Sequence, residues 1–429
     1  MRLRPVCSGL PKPMTRLLGI PLLEHIIELL RQHGIKRLCL TLSYMPELII
    51  RHFGDGSGFG VSIEYSVEES PLGTAGGVLS CRNFYGDEDF LVVSGDCACD
   101  FDLSRLIEQH RYRQAQLTMA LFPHSQPLRY GTVLTDKQGN ILSFIEKPCW
   151  ERVVTDLVNT GIYVISPSAM ALVPPNRPFD FAGELFPLLA KSSLLLQGVP
   201  MEGYWCDIGD PKSYHSCCMD ALSGKLKLPL SLSSRAFQRK QADIADSAIT
   251  VAPSLICPGA VIERGAVVAN SIIHSGSRIG AYSRIINSVV DGATVDEACI
   301  VDGTLLCRGA RLYPQTLTRP GDVVSNQPSA QPEAPAPSLP LRRSNGLCRE
   351  LACTGRARIM REMSSYLWEA GADFSDGITL KDGRCRVHIS PLAEEEAISV
   401  EAIGGRESER LDICKKYSAL AESFGGKLK

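Results

Sequence analysis

The chain of 429 residues contains no apolar run approaching the roughly 20 residues that span a bilayer, so a membrane helix is not expected. It has no excess of either charge: 45 Lys+Arg stand against 47 Asp+Glu, a formal charge of -2. That balance gives no indication of a nucleic-acid surface. It has no C-x-x-C pair, and no basic-then-apolar secretory segment is read ahead of its 16 cysteines. Many of these cysteines lie in apolar segments, so reduced thiols in the cytoplasm are the expectation. Cys97 and Cys99, and the adjacent Cys217 and Cys218, read as packing thiols because nothing nearby completes four zinc ligands. No glycine precedes Gly9: the opening is Arg2-Leu3-Arg4-Pro5 and, after Gly9, Leu10-Pro11-Lys12-Pro13-Met14, which set basic residues among prolines.

At about 100–200 residues per domain the length calls for two to four domains. Between Pro21 and His33 the residues Leu22, Leu23, Ile26, Ile27, Leu29 and Leu30 recur at helical spacing, and Gly34 supplies a stop. Leu38 to Leu42 reads as a buried strand, Glu47 to Phe53 as a helix, and Phe90 to Ser94 as a strand ending at Gly95-Asp96. Strands alternating with helices predict an α/β domain over 1–228, a Rossmann-like, mostly parallel sheet with flanking helices. Ligands of such sheets sit at the carboxyl ends of strands, where Asp96 falls.

Beyond about residue 230 the pattern changes. Leu255, Val261, Val267, Ile273, Ile279 and Ile285 are six apart, and Val289, Val295, Val301 and Cys307 resume the step after a shift. A six-residue period predicts a left-handed parallel β-helix over 245–324, each coil stacking aliphatic residues on the last. Residues 325–341 are rich in Ser, Gln, Pro and Ala and read as a flexible linker. A small α+β domain is expected over 342–429.

Several short segments carry chemistry. Val93-Ser94-Gly95-Asp96 ends a strand with a carboxylate, although Gly-Asp is also an ordinary turn and cap. Ser70-Pro71-Leu72-Gly73-Thr74-Ala75-Gly76 is a glycine-containing turn in which Thr74 could simply cap a helix. Tyr130-Gly131-Thr132, Glu146-Lys147-Pro148, Asn159-Thr160-Gly161 and Tyr204-Trp205-Cys206-Asp207-Ile208-Gly209 follow. Glu146-Lys147 alone would be a solvated pair, but Ile145 and Pro148 fix it at the end of an apolar strand.

Together, and in this order, these segments resemble the sugar nucleotidyltransferases, the nucleoside-diphosphate-sugar pyrophosphorylases, over residues 1 to about 225. The opening resembles the second half of the family signature G-G-x-G-T-R-L-x-P-L-T-x-x-x-P-K; the strand and glycine turn of the first half are not found ahead of Arg2. From this the expectation is a natural start about a dozen residues earlier, or an inactive variant, and adding that strand and turn is expected to restore turnover. The resemblance implies transfer of a nucleotidyl group from a nucleoside triphosphate to a hexose 1-phosphate, mannose or glucose, with release of pyrophosphate. It implies Mg²⁺ held by Asp96 and Asp207, with Arg2, Lys12 and Asp96 in catalysis. It implies nucleotide contacts from Leu72, Gly73, Thr74, Ala75, Gly76 and Gly95. Gly131, Glu146, Lys147, Asn159, Thr160 and Gly161 are implied on the sugar-phosphate side. Asp210 stands where the family usually has threonine, a change expected to alter local capping.

The β-helix is similar to the tail of mannose-1-phosphate guanylyltransferase-like members, which allows a homo-oligomer through that part. The last segment, with Asp376-Gly377-Ile378 and Glu401-Ala402, resembles the C-terminal domain of phosphohexomutases. Where an active mutase has R-P-S-G-T-E-P, this chain has Ser390-Pro391-Leu392-Ala393-Glu394-Glu395-Glu396, whose glutamates would repel phosphate. Mutase activity is therefore not expected. A regulatory relative that binds sugar nucleotide without making it stays open as the alternative.

Overall fold

The computed structural model describes residues 3, 5–7, 9–229, 242–326, 347–375, 377–392 and 396–428. Arg2, the linker from residue 327 onward, Asp376, Ala393, Glu394 and Glu395 lie outside the described residues. The chain divides into two compact units, Met1–Ser70 with Ser94–Leu103 and Glu202–Glu333, and Pro71–Val93 with Ser104–Met201 and Ala334–Lys429.

The first unit begins with the amphipathic helix α1 (Leu22–Gln32), whose apolar face of Leu22, Leu23, Ile26, Ile27, Leu29 and Leu30 is buried. Strands β1 (Arg37–Leu42) and β2 (Ser62–Val67) flank α2 (Pro46–Phe53) and pair in parallel, Arg37 opposite Ser62. This is the strand–helix–strand order that the alternating pattern predicted.

Strand β3 (Phe90–Val93) belongs to the second unit, with β5 (Leu117–Pro123), β6 (Gly131–Thr135), β7 (Ile141–Glu146), β8 (Leu157–Ile165) and β9 (Leu196–Pro200). These six form one sheet in the order β9-β5-β8-β6-β7, with β3 also on β8. It is mixed: β9 runs parallel to β5, whereas β8 is antiparallel to β5, β3 and β6. The nine-residue β8 changes neighbours along its length, from β6 at Val158 to β3 at Ile162–Ile165. A register shift between Asn159 and Tyr163 marks the changeover, the kind of irregularity that re-aims side chains.

Back in the first unit, β4 (Cys97–Cys99) pairs antiparallel with β10 (Trp205–Asp207), and α3 (Pro211–Leu222) follows. Asp210 caps α3: its carboxylate accepts from Ser213 N at 2.8 Å, and Ser213 Oγ lies 3.1 Å from Asp210 N. The substitution for threonine at this place therefore keeps the helix capped.

From Asp243 onward short strands stack into three parallel sheets, with partners such as Asp243 and Val261, Leu255 and Ile272, and Arg278 and Thr294. This is the coil of a β-helix. Its interior holds Ile256, Ile262, Val268, Ile273, Ile279, Ile285, Val290, Val295, Val301, Leu306 and Leu312. The expected inward residues Ile273, Ile279, Ile285, Val295 and Val301 are among them, but Leu255, Val261, Val267, Val289 and Cys307 are each one position out of phase. The reason is that successive coils do not keep one length, so a strict six-residue count drifts. Leu255, Val289 and Cys307 are nonetheless buried, because the outer face of their sheet is covered within the unit. There His215 Nε2 lies 2.8 Å from Asn287 O, and Arg16 lies 3.9 Å from Asp291.

The second unit ends in a five-stranded antiparallel sheet of β11 (Leu347–Ala352), β12 (Ile378–Asp382), β13 (Cys385–Pro391), β14 (Ala397–Gly404) and β15 (Lys427–Leu428). Helices α4 (Arg356–Leu367) and α5 (Glu407–Ser423) supply Ile359, Met360, Met363, Leu367, Tyr417 and Ala421 to its core.

Candidate active site

In the first unit, the prolines on either side of Lys12 hold it in a single 3-10 turn, Lys12–Met14. Lys12 Nζ lies 2.5 Å from Asp96 Oδ2 and 3.9 Å from Asp207 Oδ1. The two carboxylates converge because β4 and β10 pair with Cys97 opposite Asp207, and Ile208 N donates to Asp96 O at 3.1 Å. Ser94 Oγ donates to Asp96 Oδ1 at 2.6 Å. Gly95 lies against the Pro13 ring, and a Cβ at Gly209 would come within 3.0 Å of Asp207 Oδ2.

Each aspartate keeps about a third of its side-chain surface open. Burial pushes the Asp96 carboxyl up, but the Lys12 ammonium, with hydrogen bonds from Lys12 and Ser94, outweighs it and holds the group below the usual carboxylate range. Asp96 and Asp207 together present hard carboxylate oxygens beside the one lysine. Among the described residues no group of three or more His, Cys, Asp or Glu side chains gathers into a metal cage. A pair of carboxylates suits Mg²⁺, which keeps waters and takes phosphate oxygens for the remaining positions.

In the second unit, Gly131 pairs with Glu146 across β6 and β7, and Val158 pairs with Thr132, which sets Asn159 beside Gly131 on the other side. Asn159, Gly131 and Glu146 thus form one row across three strands. A Cβ at Gly131 would lie 2.6 Å from Phe144 Cζ and 2.8 Å from Glu146 Oε2, so only glycine leaves room for that carboxylate. Burial pushes the Glu146 carboxyl up, Lys147 opposes this, and the nearby Asp180 charge adds to it. Lys147 has φ 44, a left-handed backbone that a non-glycine residue adopts at a cost, and its Nζ lies 3.6 Å from Glu146 Oε1. Asn159 Oδ1 accepts from Gly161 N at 2.9 Å and from Tyr163 OH at 2.8 Å, with Gly161 at φ 79. Thr160 points elsewhere: its hydroxyl donates to Ala120 O at 2.7 Å and the residue is 2% exposed.

The segment Leu72 to Gly76 opens the helix Gly73–Ser80. Thr74 is not its cap. Its hydroxyl donates to Asp180 Oδ2 at 2.8 Å and accepts from Phe181 N. Ala75 N and Gly76 N both donate to Phe179 O at 3.0 Å, so these two amides are already engaged. Gly73 is required, since a Cβ there would lie 2.6 Å from Phe179 O. Asp180 is the residue that sequence reasoning missed. It ties Thr74, caps the following turn through Ala182 N and Gly183 N, and bears on Glu146. An aspartate just before an apolar helical run was the available signal.

The family model described as Nucleotidyl transferase matches residues 1–224. The chain is 33% identical to a UTP--glucose-1-phosphate uridylyltransferase of Synechocystis sp., over 68% of this chain and 84% of that protein. It is 31% identical to a mannose-1-phosphate guanylyltransferase of Mycobacterium tuberculosis, over 70% and 80%. A mannose-1-phosphate guanyltransferase of Yarrowia lipolytica is 32% identical, over 73% and 93%.

Proposed function

Because this chain belongs to the nucleotidyl transferase family, we propose that it transfers a nucleotidyl group from a nucleoside triphosphate to mannose or glucose 1-phosphate, releasing pyrophosphate. A phosphate oxygen of the sugar 1-phosphate attacks the α-phosphorus, a new P–O bond forms, and the bond from the α-phosphorus to the bridging oxygen of pyrophosphate breaks. Both reactants are anions, so the protein's task is to neutralise charge and align them.

The observation that carries this reading is the Lys12 ammonium set between Asp96 and Asp207. The two carboxylates are assigned to hold Mg²⁺, which when bound neutralises phosphate oxygens on the triphosphate. Lys12 is assigned to the phosphates as well, exchanging its carboxylate partners for phosphate oxygens as substrate arrives. Gly95 keeps side-chain bulk away from the nucleotide. The turn from Leu72 to Gly76 is assigned to the nucleotide base and ribose, held in shape by Asp180 and Phe179. Glu146 accepts from sugar hydroxyls, Lys147 holds the sugar phosphate as a point charge, and Asn159 and Gly161 line that side.

A cytoplasmic location is supported by the sixteen free cysteines, most of them buried. The reading is tested by pyrophosphate release with Mg²⁺, each nucleoside triphosphate and each hexose 1-phosphate. Release that needs both substrates supports it; no release from any pair rejects it.

A further inference from the structure

The C-terminal sheet and helices carry no assigned role, yet within their unit they share a core with the segment that joins β7 to β8. Val154 of that segment, and Leu134 of β6, sit in one apolar cluster with Ile359, Met360, Met363 and Ile378. That joining segment starts directly after Lys147 and leads into Asn159, so it connects two halves of the sugar-phosphate row.

Three contacts hold it. Arg356 lies with its guanidinium 3.5 Å over the Trp150 ring. Arg361 Nη1 lies 2.9 Å from Asp156 Oδ1, a contact of charges made in a largely buried setting. Ser364 Oγ donates to Val154 O at 3.0 Å. Arg356, Met360 and Ser364 recur at four-residue spacing and Arg361 lies three positions before Ser364, so adjoining faces of α4 present these groups to the segment. The far end is tied in turn: His124 N donates to Asp156 O at 2.9 Å, the His124 and Tyr130 rings meet edge to face, and Lys147 N donates to Tyr130 O at 3.1 Å. Contacts thus run without a break from Asp156 through His124 and Tyr130 to the Lys147 backbone.

We propose that the C-terminal module is a brace for the sugar-phosphate side, with Arg361 and Asp156 as positioning residues that hold Lys147 and Asn159 in register without touching substrate. It rests on the proposed function for what those residues bind. The brace explains why a module with glutamates in place of a phosphate loop keeps a full core: it acts through the face that packs on the segment rather than through its own loop. Burial raises the Asp156 carboxyl and Arg361 offsets this, so loss of Arg361 leaves a buried carboxylate without its neutralising charge.

The test compares Arg361→Ala, Arg361→Lys and Asp156→Asn in the full chain. The expected result for Arg361→Ala is a KM for hexose 1-phosphate raised about tenfold, with kcat and the nucleotide KM within about twofold. Arg361→Lys, which keeps the charge, should recover most of that loss. Hydrogen exchange of amides from residue 147 to residue 159 is read in parallel and should speed up in Arg361→Ala, and less so in Arg361→Lys. Unchanged kinetics with unchanged exchange would overturn the brace, as would kcat and both KM values worsening together in all three variants. If the wild-type chain turns over no substrate pair, the proposed function fails while the exchange experiment still decides whether the module holds the segment.

Discussion

Lys12 Nζ lies 2.5 Å from Asp96 Oδ2 although 84 positions separate the two residues, and it reaches toward Asp207 on a different strand as well. Proline-flanked Lys12, the strand end before Asp96 and the β4–β10 ladder all converge on this contact.

Asp96→Asn should lower kcat by about 10²–10³-fold, the scale of losing one preorganised electrostatic group, with the fold intact by circular dichroism. The lowered Asp96 pKa also sets a sign. The ion pair's contribution to stability is present above the ordinary carboxylate value of about 3.9 and is lost as pH falls through the lower folded value. Acid titration of the wild type should therefore show this loss, and Asp96→Asn should lack it.

Glu146→Gln should separate stability from function. The Glu146 pKa is raised, so the stability linked to this group is present at acid pH and is lost as pH rises through the folded value. At pH 7 the ionised carboxylate is a burden. Gln should raise stability slightly, by under about 1 kcal/mol once solvent screening is counted, while raising the KM for hexose 1-phosphate. Melting curves and initial rates on the same preparations check both halves.

The phase of the β-helix can be read by truncation. Ile262 is 1% exposed inside the coil, whereas its neighbour Val261 is only half-buried. Ile262→Ala should cost about 2–5 kcal/mol and Val261→Ala under about 1 kcal/mol in denaturant unfolding. Equal costs would put the coil in the other phase.

His274 gives the β-helix an acid limit. Burial pushes its imidazole down to about 4, Asp291 opposes this, and Arg16 and Arg308 add to the lowering. A folded value below the unfolded value of about 6.5 means stability is kept above that pH and is lost as pH falls toward 4, by about 3 kcal/mol in all. Denaturant unfolding at pH 7 and at about pH 4.5 should show this loss, and His274→Leu should remove most of its pH dependence.

The periodic parts were legible because one residue type recurs in one environment. The apolar face of α1 and the stacked coils follow from spacing alone. The coil phase was not legible, since Ile256 and Leu255 are both aliphatic and both buried, and only the coil length tells which faces inward. Asp96 stood out at a strand end, whereas Asp207 was reached only through the resemblance of Trp205-Cys206-Asp207-Ile208-Gly209 to the family's segment. Asp180 offered only the signal of a helix cap, which says nothing of Thr74 and Glu146, its partners distant in sequence. The direction of Thr160 was hidden for a related reason: the irregularity in β8 turns its hydroxyl toward Ala120, and an Asn-Thr-Gly string does not record that twist.

The most direct test of the account is Mg²⁺-dependent pyrophosphate release by the wild type and by Asp207→Asn, with Asp207 lying opposite Cys97 and 3.9 Å from Lys12. The account predicts release that requires a nucleoside triphosphate, a hexose 1-phosphate and the metal together, and a loss of about 10²-fold or more in the variant with an unchanged melting curve. Full metal-dependent release by Asp207→Asn would contradict it.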